Sequence, residues 1–225
     1  MKHGLDVSTF EKLRQNGSAE YSANGLSSIS KKPDGSIGTI ETKLFSPKKM
    51  FGKPGKYLDY WTEKGSDKAY PIVIKGTCTK VVEIVENSLD GLARFEMNLR
   101  ELPFQEQPTI IVSSGKDNTK FLNNHEIIAL KDAIFIICIS HNRDPNFPLS
   151  YDTKHYFDAL EKRQHGIDQA YEKRIELIQA INPMALVQHY RPDENYEDLV
   201  AMNAEIKEDN ASIKGGKQAK REIRF

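Results

Sequence analysis

An α+β fold is predicted for this chain: a mostly antiparallel sheet over residues 26–140, with helices gathered toward the C-terminus. Three observations predict it. Short apolar runs punctuated by turn residues fill the stretch from Tyr70 to Ser140. Lys32-Pro33-Asp34-Gly35 has the chemistry of a tight turn, with proline presetting φ and glycine supplying a positive φ. Asp152 to Ile181 carries Phe157, Leu160, Ile167, Tyr171, Ile175, Ile178 and Ile181 as an apolar stripe at helical spacing. A β-barrel or sandwich with a helical appendage is the alternative within the same class.

Element by element, Ser8-Thr9-Phe10-Glu11 reads as a capping box opening a short helix over Thr9–Gln15. Ser18 to Ser30 is small and polar and reads mostly as loop. A strand near Leu26–Ser30 joins one at Ser36–Phe45 through the turn at Pro33. Ser46 to Gly55 reads as an exposed loop, and Tyr57 to Lys64 as a short helix stopped by Gly65. Strands are expected at Pro71–Ile74, Lys80–Glu86, Leu92–Leu102, Thr109–Ser113, Glu126–Leu130 and Ala133–Ser140. In the third of these, Ala93, Phe95, Met97 and Leu99 alternate with Arg94, Glu96, Asn98 and Arg100, the period of a half-buried strand. Asn87-Ser88-Leu89-Asp90-Gly91 then reads as the hairpin leading into it. Ala133–Ser140 is apolar on both faces, as a central strand covered on both sides would be. Beyond the Asp152–Ile181 helix, Asn182-Pro183 is the stop, Met184–Val187 is a short apolar piece, and Asn195–Lys207 is an acidic helix. The domain reading is a β-rich core over residues 1–145, a helical region over 146–210, and a mobile basic tail over 211–225.

The 225 residues carry 32 basic and 32 acidic groups, so the net charge is zero. That argues against a protein whose whole surface grips nucleic acid. The distribution is uneven: residues 1–75 hold 13 basic and 8 acidic groups, and residues 193–209 hold seven acids and one lysine. Two cysteines, Cys78 and Cys138, make no disulfide framework. No apolar leader or membrane span is visible, so a cytoplasmic protein without a membrane partner is expected. Phosphate-binding glycine loops and the Gly-x-Ser-x-Gly hydrolase signature are absent from the sequence.

The sharpest candidate chemistry is Asp34 with Glu41 and Lys43. Two carboxylates can hold Mg²⁺, and a lysine beside them can position water or steady a phosphate, as in metal-dependent nucleases. Glu41 and Lys43 lie two apart and share one face of a strand. The expected catalytic set is therefore Asp34, Glu41 and Lys43, with Asp34 and Glu41 as metal ligands. Lys48, Lys49, Lys53 and Lys56 add a basic stretch with Phe51, Tyr57, Tyr60 and Trp61 interleaved or following, suited to phosphates and bases. The competing reading of that stretch is a solvated lysine loop over buried aromatics. Glu-x-Lys recurs at Glu205-Ile206-Lys207 in a helical context, so the triplet alone has low specificity.

Two weaker patterns remain. Cys78, His125 and Asp132 or Asp144 occur in the order used by thiol hydrolases, without a helix start behind Cys78 to activate it. His141-Asn142-Arg143-Asp144 is a polar cluster after the central strand, equally suited to capping the sheet. Cys138 reads as a buried apolar filler. The leading functional expectation is a Mg²⁺-dependent nuclease or nucleic-acid-processing protein. The alternative is a non-catalytic interaction or assembly protein that uses the sheet and the C-terminal helix, including homo-oligomer formation through residues 152–181.

Overall fold

Strands β2 (Gly25–Lys31) and β3 (Ile37–Lys49) form the hairpin expected around Pro33. Asp34 Oδ1 accepts the backbone N–H of Ser36 (2.9 Å) and its hydroxyl (2.7 Å), and Gly35 takes a φ of 84°. This is an Asx-type turn, in which a short acidic side chain substitutes for a backbone partner. The computed structural model describes residues 8, 9, 11, 14, 19–22, 25–49, 57–115, 118–123, 132–138, 153–192 and 199–207. Strands β1 (Ala19–Ser22) and β4 (Tyr57–Thr62) extend the hairpin into a four-stranded antiparallel sheet of order β1-β2-β3-β4.

Two expectations are corrected there. Ala19–Ser22 is a strand rather than loop, and Tyr57–Thr62 is a strand rather than a helix. Pairing supplies what local composition lacked. Ser30 Oγ donates to Tyr70 O (2.6 Å) and accepts from Thr39 N–H (2.6 Å), so small polar residues sit buried and satisfied between strands. β3 also runs on through Ser46-Pro47-Lys48-Lys49, into the segment expected to be loop.

The second sheet has five strands in the order β5-β7-β6-β8-β9: β5 (Ile72–Ile74), β6 (Cys78–Val85), β7 (Pro108–Val112), β8 (Ile134–Cys138) and β9 (Leu186–Tyr190). Its neighbours β7, β6, β8 and β9 are parallel, and only β5 runs the other way. Antiparallel pairings make up four of the seven in the two sheets together, so the α+β class stands. The parallel block is the part that the strand pattern did not anticipate. Its strands alternate sides. Val82, Ile84, Ile111, Phe135 and Ile137 face one way with Ile178 and Phe121; Val85, Ile110, Val112 and Cys138 face the other with Leu89, Leu92, Ala93 and Leu199. Burial on both faces makes these strands continuous apolar runs, as a parallel sheet requires.

Helix α1 (Ser88–Glu101) is the crossover from β6 to β7, where the sequence suggested a third strand. Asn87 is its N-cap: Oδ1 accepts Asp90 N–H (3.0 Å) and Nδ2 donates to Asp90 Oδ2 (2.6 Å). The segment read as a hairpin turn is thus a capped helix start, with Asn87 and Asp90 also joined side chain to side chain. Gly91 lets α1 approach the sheet closely, since a Cβ there would meet Val112 at 3.2 Å and Val85 at 3.4 Å. Leu89, Leu92, Ala93 and Met97 form its apolar face, with Ala93 and Met97 completely buried.

Helix α2 (Thr153–Ile181) is the crossover from β8 to β9, on the opposite face of the sheet. Asn182-Pro183 ends it, as expected. Residues 199–207 form helix α3 on the α1 face, where Leu199 packs into the core. Ser8, Thr9, Glu11 and Arg14 are helical, as a short N-terminal helix requires, but Ser8 lies inside the helix and not at the N-cap expected of it. The expected strand at Glu126–Leu130 and the basic tail at 211–225 lie outside the described residues. Among the described residues, no helix is long and apolar enough to cross a membrane.

Candidate functional site at the junction of the two sheets

Glu41 sits in the middle of β3, opposite Ser28 on β2 and Thr62 on β4. It is 1% exposed, and its Oε2 accepts the backbone N–H of Ser88 at 2.7 Å. Ser88 is the first residue of α1, so a carboxylate from the first sheet caps a helix of the second. The contact satisfies one of the donors that a helix start leaves free and places negative charge at the positive end of its dipole. Tyr60, on β4, lies beside this pair. Burial first, and then the Glu41 carboxylate, raise the pKa of its phenol far above the ordinary tyrosine value. Among the described residues, Glu41 Oε1 and Tyr60 Oη have no hydrogen-bond partner.

The structure does not bring Asp34 to this place. Asp34 is at the exposed tip of the β2–β3 turn, where the two Ser36 hydrogen bonds hold its carboxyl below the usual range. Ile37 to Glu41 alone is about 13 Å of extended strand, and Asp34 lies beyond Ile37. One metal ion cannot be shared by two carboxylates so placed, since direct ligation needs oxygens about 2–2.6 Å from the ion. Lys43 keeps its expected relation to Glu41, two residues along the same strand, and is half-buried opposite Leu26 and Tyr60. Lys48 and Lys49 are exposed at the end of β3; Lys53 and Lys56 lie outside the described residues. Among the described residues, no group of three or more His, Cys, Asp or Glu converges as a metal would need. Nuclease chemistry, Mg²⁺ and nucleic-acid binding gain no support from this geometry.

The other sequence candidates are equally dispersed. Cys78 opens β6, half-buried, with its N–H donated to Gln107 O (2.9 Å). Asp132 is exposed at a φ of 60°, and His125 and Asp144 lie outside the described residues, as does the whole His141–Asp144 cluster. Cys138 is buried at the end of β8, and burial pushes its thiol well up, away from the thiolate a nucleophile needs.

Sequence reasoning missed the groups that the fold gathers in its interior. Glu83 on β6 is 1% exposed; its Oε1 accepts from Arg94 Nε (2.9 Å) and lies 2.8 Å from Arg94 Nη2 in an ion pair, and its Oε2 accepts from Asn98 Nδ2 (2.7 Å). Arg94 also stacks over the Tyr190 ring at 4.4 Å. Glu96 receives Asn203 Nδ2 (2.9 Å) and Lys207 Nζ from α3, and Arg100 donates to Asn203 Oδ1. Arg174 of α2 donates to Ser113 Oγ (3.0 Å) and Gly115 O (2.7 Å), which fixes the loop after β7. These groups pair with one another across elements, so they hold helices to strands. The one local signal was Asn87 three residues before Asp90, which marks a helix start and places Arg94 and Asn98 on one helical face.

Glu41 in this setting is a structural acceptor. Glu41→Ala is expected to lower stability by about 1–3 kcal/mol, because it orphans the Ser88 N–H in a closed site. Glu41→Gln is expected to lose less, since an amide oxygen can still accept. Urea denaturation of the two variants beside the wild type checks the order.

No protein-family model matches the chain, and neither a curated protein nor a solved structure does.

Proposed function

We propose that this chain is a non-catalytic interaction protein, working through helix α2 and the sheet beside it. The observation that carries this reading is the length of α2 against the sheet it packs on. Its 29 residues run about 43 Å. The five residues of β8 or β9 run only about 17 Å. The apolar contacts described between α2 and the sheet come from Tyr171 onward, through Ile175, Leu177, Ile178 and Ile181. Asp168, one turn before Tyr171, is held by Arg191 at 2.7 Å. A helix over twice the length of the strands it packs on reaches past them, and that excess length is what supports α2 as a contact element.

Hydrogen–deuterium exchange, read as the protein is concentrated or mixed with a partner, tests the proposal. Protection is expected to rise in α2. A parallel incubation with plasmid and RNA in Mg²⁺ or Mn²⁺ is expected to show no turnover. Metal-dependent cleavage that Glu41→Gln abolishes would overturn the non-catalytic reading, and so would unchanged exchange in α2 under every condition.

A further inference from the structure

We propose that the crevice beyond the carboxyl ends of β6 and β7 is a binding site for the phosphate group of a small molecule, with Lys68 and Ser114 as its donors. Such a site adds to the contact role of α2 and does not depend on it.

The place follows from the topology. β6 and β7 are adjacent and parallel, with Val85 opposite Val112 at their ends. The chain leaves β6 through α1, whose Leu92 and Ala93 pack on one face of the sheet. It leaves β7 toward Phe121 and Leu122, which pack on the other face. Neighbouring strands whose exits diverge in this way open a crevice beyond their carboxyl ends, where open α/β sheets commonly take ligands.

The loop at this crevice is held from several sides. Val85 O accepts the Ser113 N–H (2.8 Å), and Glu86 O accepts the Gly115 N–H (2.9 Å). Arg174 of α2 donates to Ser113 Oγ and Gly115 O. Ser114, between them, is different. It is 4% exposed, its Oγ has no hydrogen-bond partner, and its φ is 57°. A left-handed backbone is strained for a residue with a Cβ, and a buried hydroxyl without a partner adds to the cost. Strain and an unused donor kept together at the end of a parallel strand mark a loop prepared for a ligand.

Lys68 brings the charge. Its Nζ donates to Ser114 O (2.6 Å) and would stand 3.8 Å from a Cβ at Gly115. An ammonium carries three donors, and that carbonyl takes one of them. Asp67, the neighbouring acid in the chain, is held by Lys32 at 3.1 Å. The start of α1 is not the seat of the anion, since Glu41 takes the Ser88 N–H. A hydroxyl and an ammonium call for an anionic oxygen. A lysine is a point charge suited to phosphate, whereas a planar carboxylate is better matched by the fork of an arginine.

Thermal melts of the full-length protein in sodium phosphate, beside sodium chloride and sodium acetate at matched ionic strength, test the site. A ligand of the folded state raises Tm with its concentration. The wild-type Tm is expected to rise further in phosphate than in either other salt. Lys68→Met is expected to lose that excess, and Lys64→Met, which removes an exposed charge from the preceding turn, to keep it. Ser114→Gly removes the hydroxyl and accepts the left-handed backbone, so it is expected to melt in chloride at or above the wild type. Isothermal titration with inorganic phosphate is expected to give a Kd about tenfold weaker in Ser114→Gly and in Lys68→Met than in the wild type. A wild-type Tm that rises no further in phosphate than in acetate would overturn the proposal. So would Lys68→Met and Ser114→Gly binding phosphate as the wild type does. Loss of the excess in Lys64→Met as well would make it a general charge effect, which overturns the proposal too.

Discussion

Replacing Arg94 with methionine is expected to cost about 3–5 kcal/mol. The reason is the charge left behind. Glu83 is 1% exposed in the central strand β6, and Arg94 donates Nε to its Oε1 with Nη2 in ion-pair contact with the same oxygen. Burial works against the guanidinium charge, and the Glu83 carboxylate more than offsets this, so the Arg94 pKa is raised. Without Arg94, Glu83 keeps Asn98 and loses its counter-charge. The double variant Glu83→Gln with Arg94→Met should recover most of the loss, because it removes the buried charge as well. A double-mutant cycle by urea denaturation measures this. Equal losses in the single and double variants would mean that the pair contributes only packing.

Met97→Ala is expected to cost about 2–5 kcal/mol and Leu99→Ala no more than about 0.5 kcal/mol. Met97 is fully buried between α1 and its surroundings, while Leu99 is 42% exposed on the helix surface. Glu96→Ala is expected to fall between them, at about 1–3 kcal/mol, because it strands Lys207 and Asn203 of α3. Thermal melts of the three variants give the order directly. A strand over these residues would have made Met97 and Leu99 equivalent and Glu96 nearly silent. The expected ranking is therefore a test of helical against strand periodicity in solution.

The strand reading of Leu92–Leu102 failed for a physical reason. Ala93, Phe95, Met97 and Leu99 do alternate, but Leu89, Leu92, Ala93 and Met97 also satisfy helical spacing, and both patterns fit a window this short. Arg94, Glu96 and Asn98 tipped the choice, since three polar residues in alternation look like a solvated face. In the structure all three are buried, because Glu83, Lys207 and Asn203 meet them from β6 and α3. Partners so distant in sequence leave no local trace. Asp34 and Glu41 failed to meet as a site for a related reason. Spacing told which residues share a face of β3, but not that α1 would close over Glu41.

What the sequence determined by itself was local. The Pro33–Gly35 turn follows from proline and glycine backbone limits, the end of α2 from Asn182-Pro183, and the strands β5 to β8 from apolar runs bounded by turn residues. The α+β class followed from those pieces. The tertiary structure alone decided the parallel order β7-β6-β8-β9, the strands at Ala19–Ser22 and Tyr57–Thr62, and the use of Glu41 as a cap on α1. Strand order and buried charge pairing depend on which surfaces meet. Their free energy comes from burial and hydrogen bonds between segments far apart in the chain, and no window of neighbouring residues contains both partners.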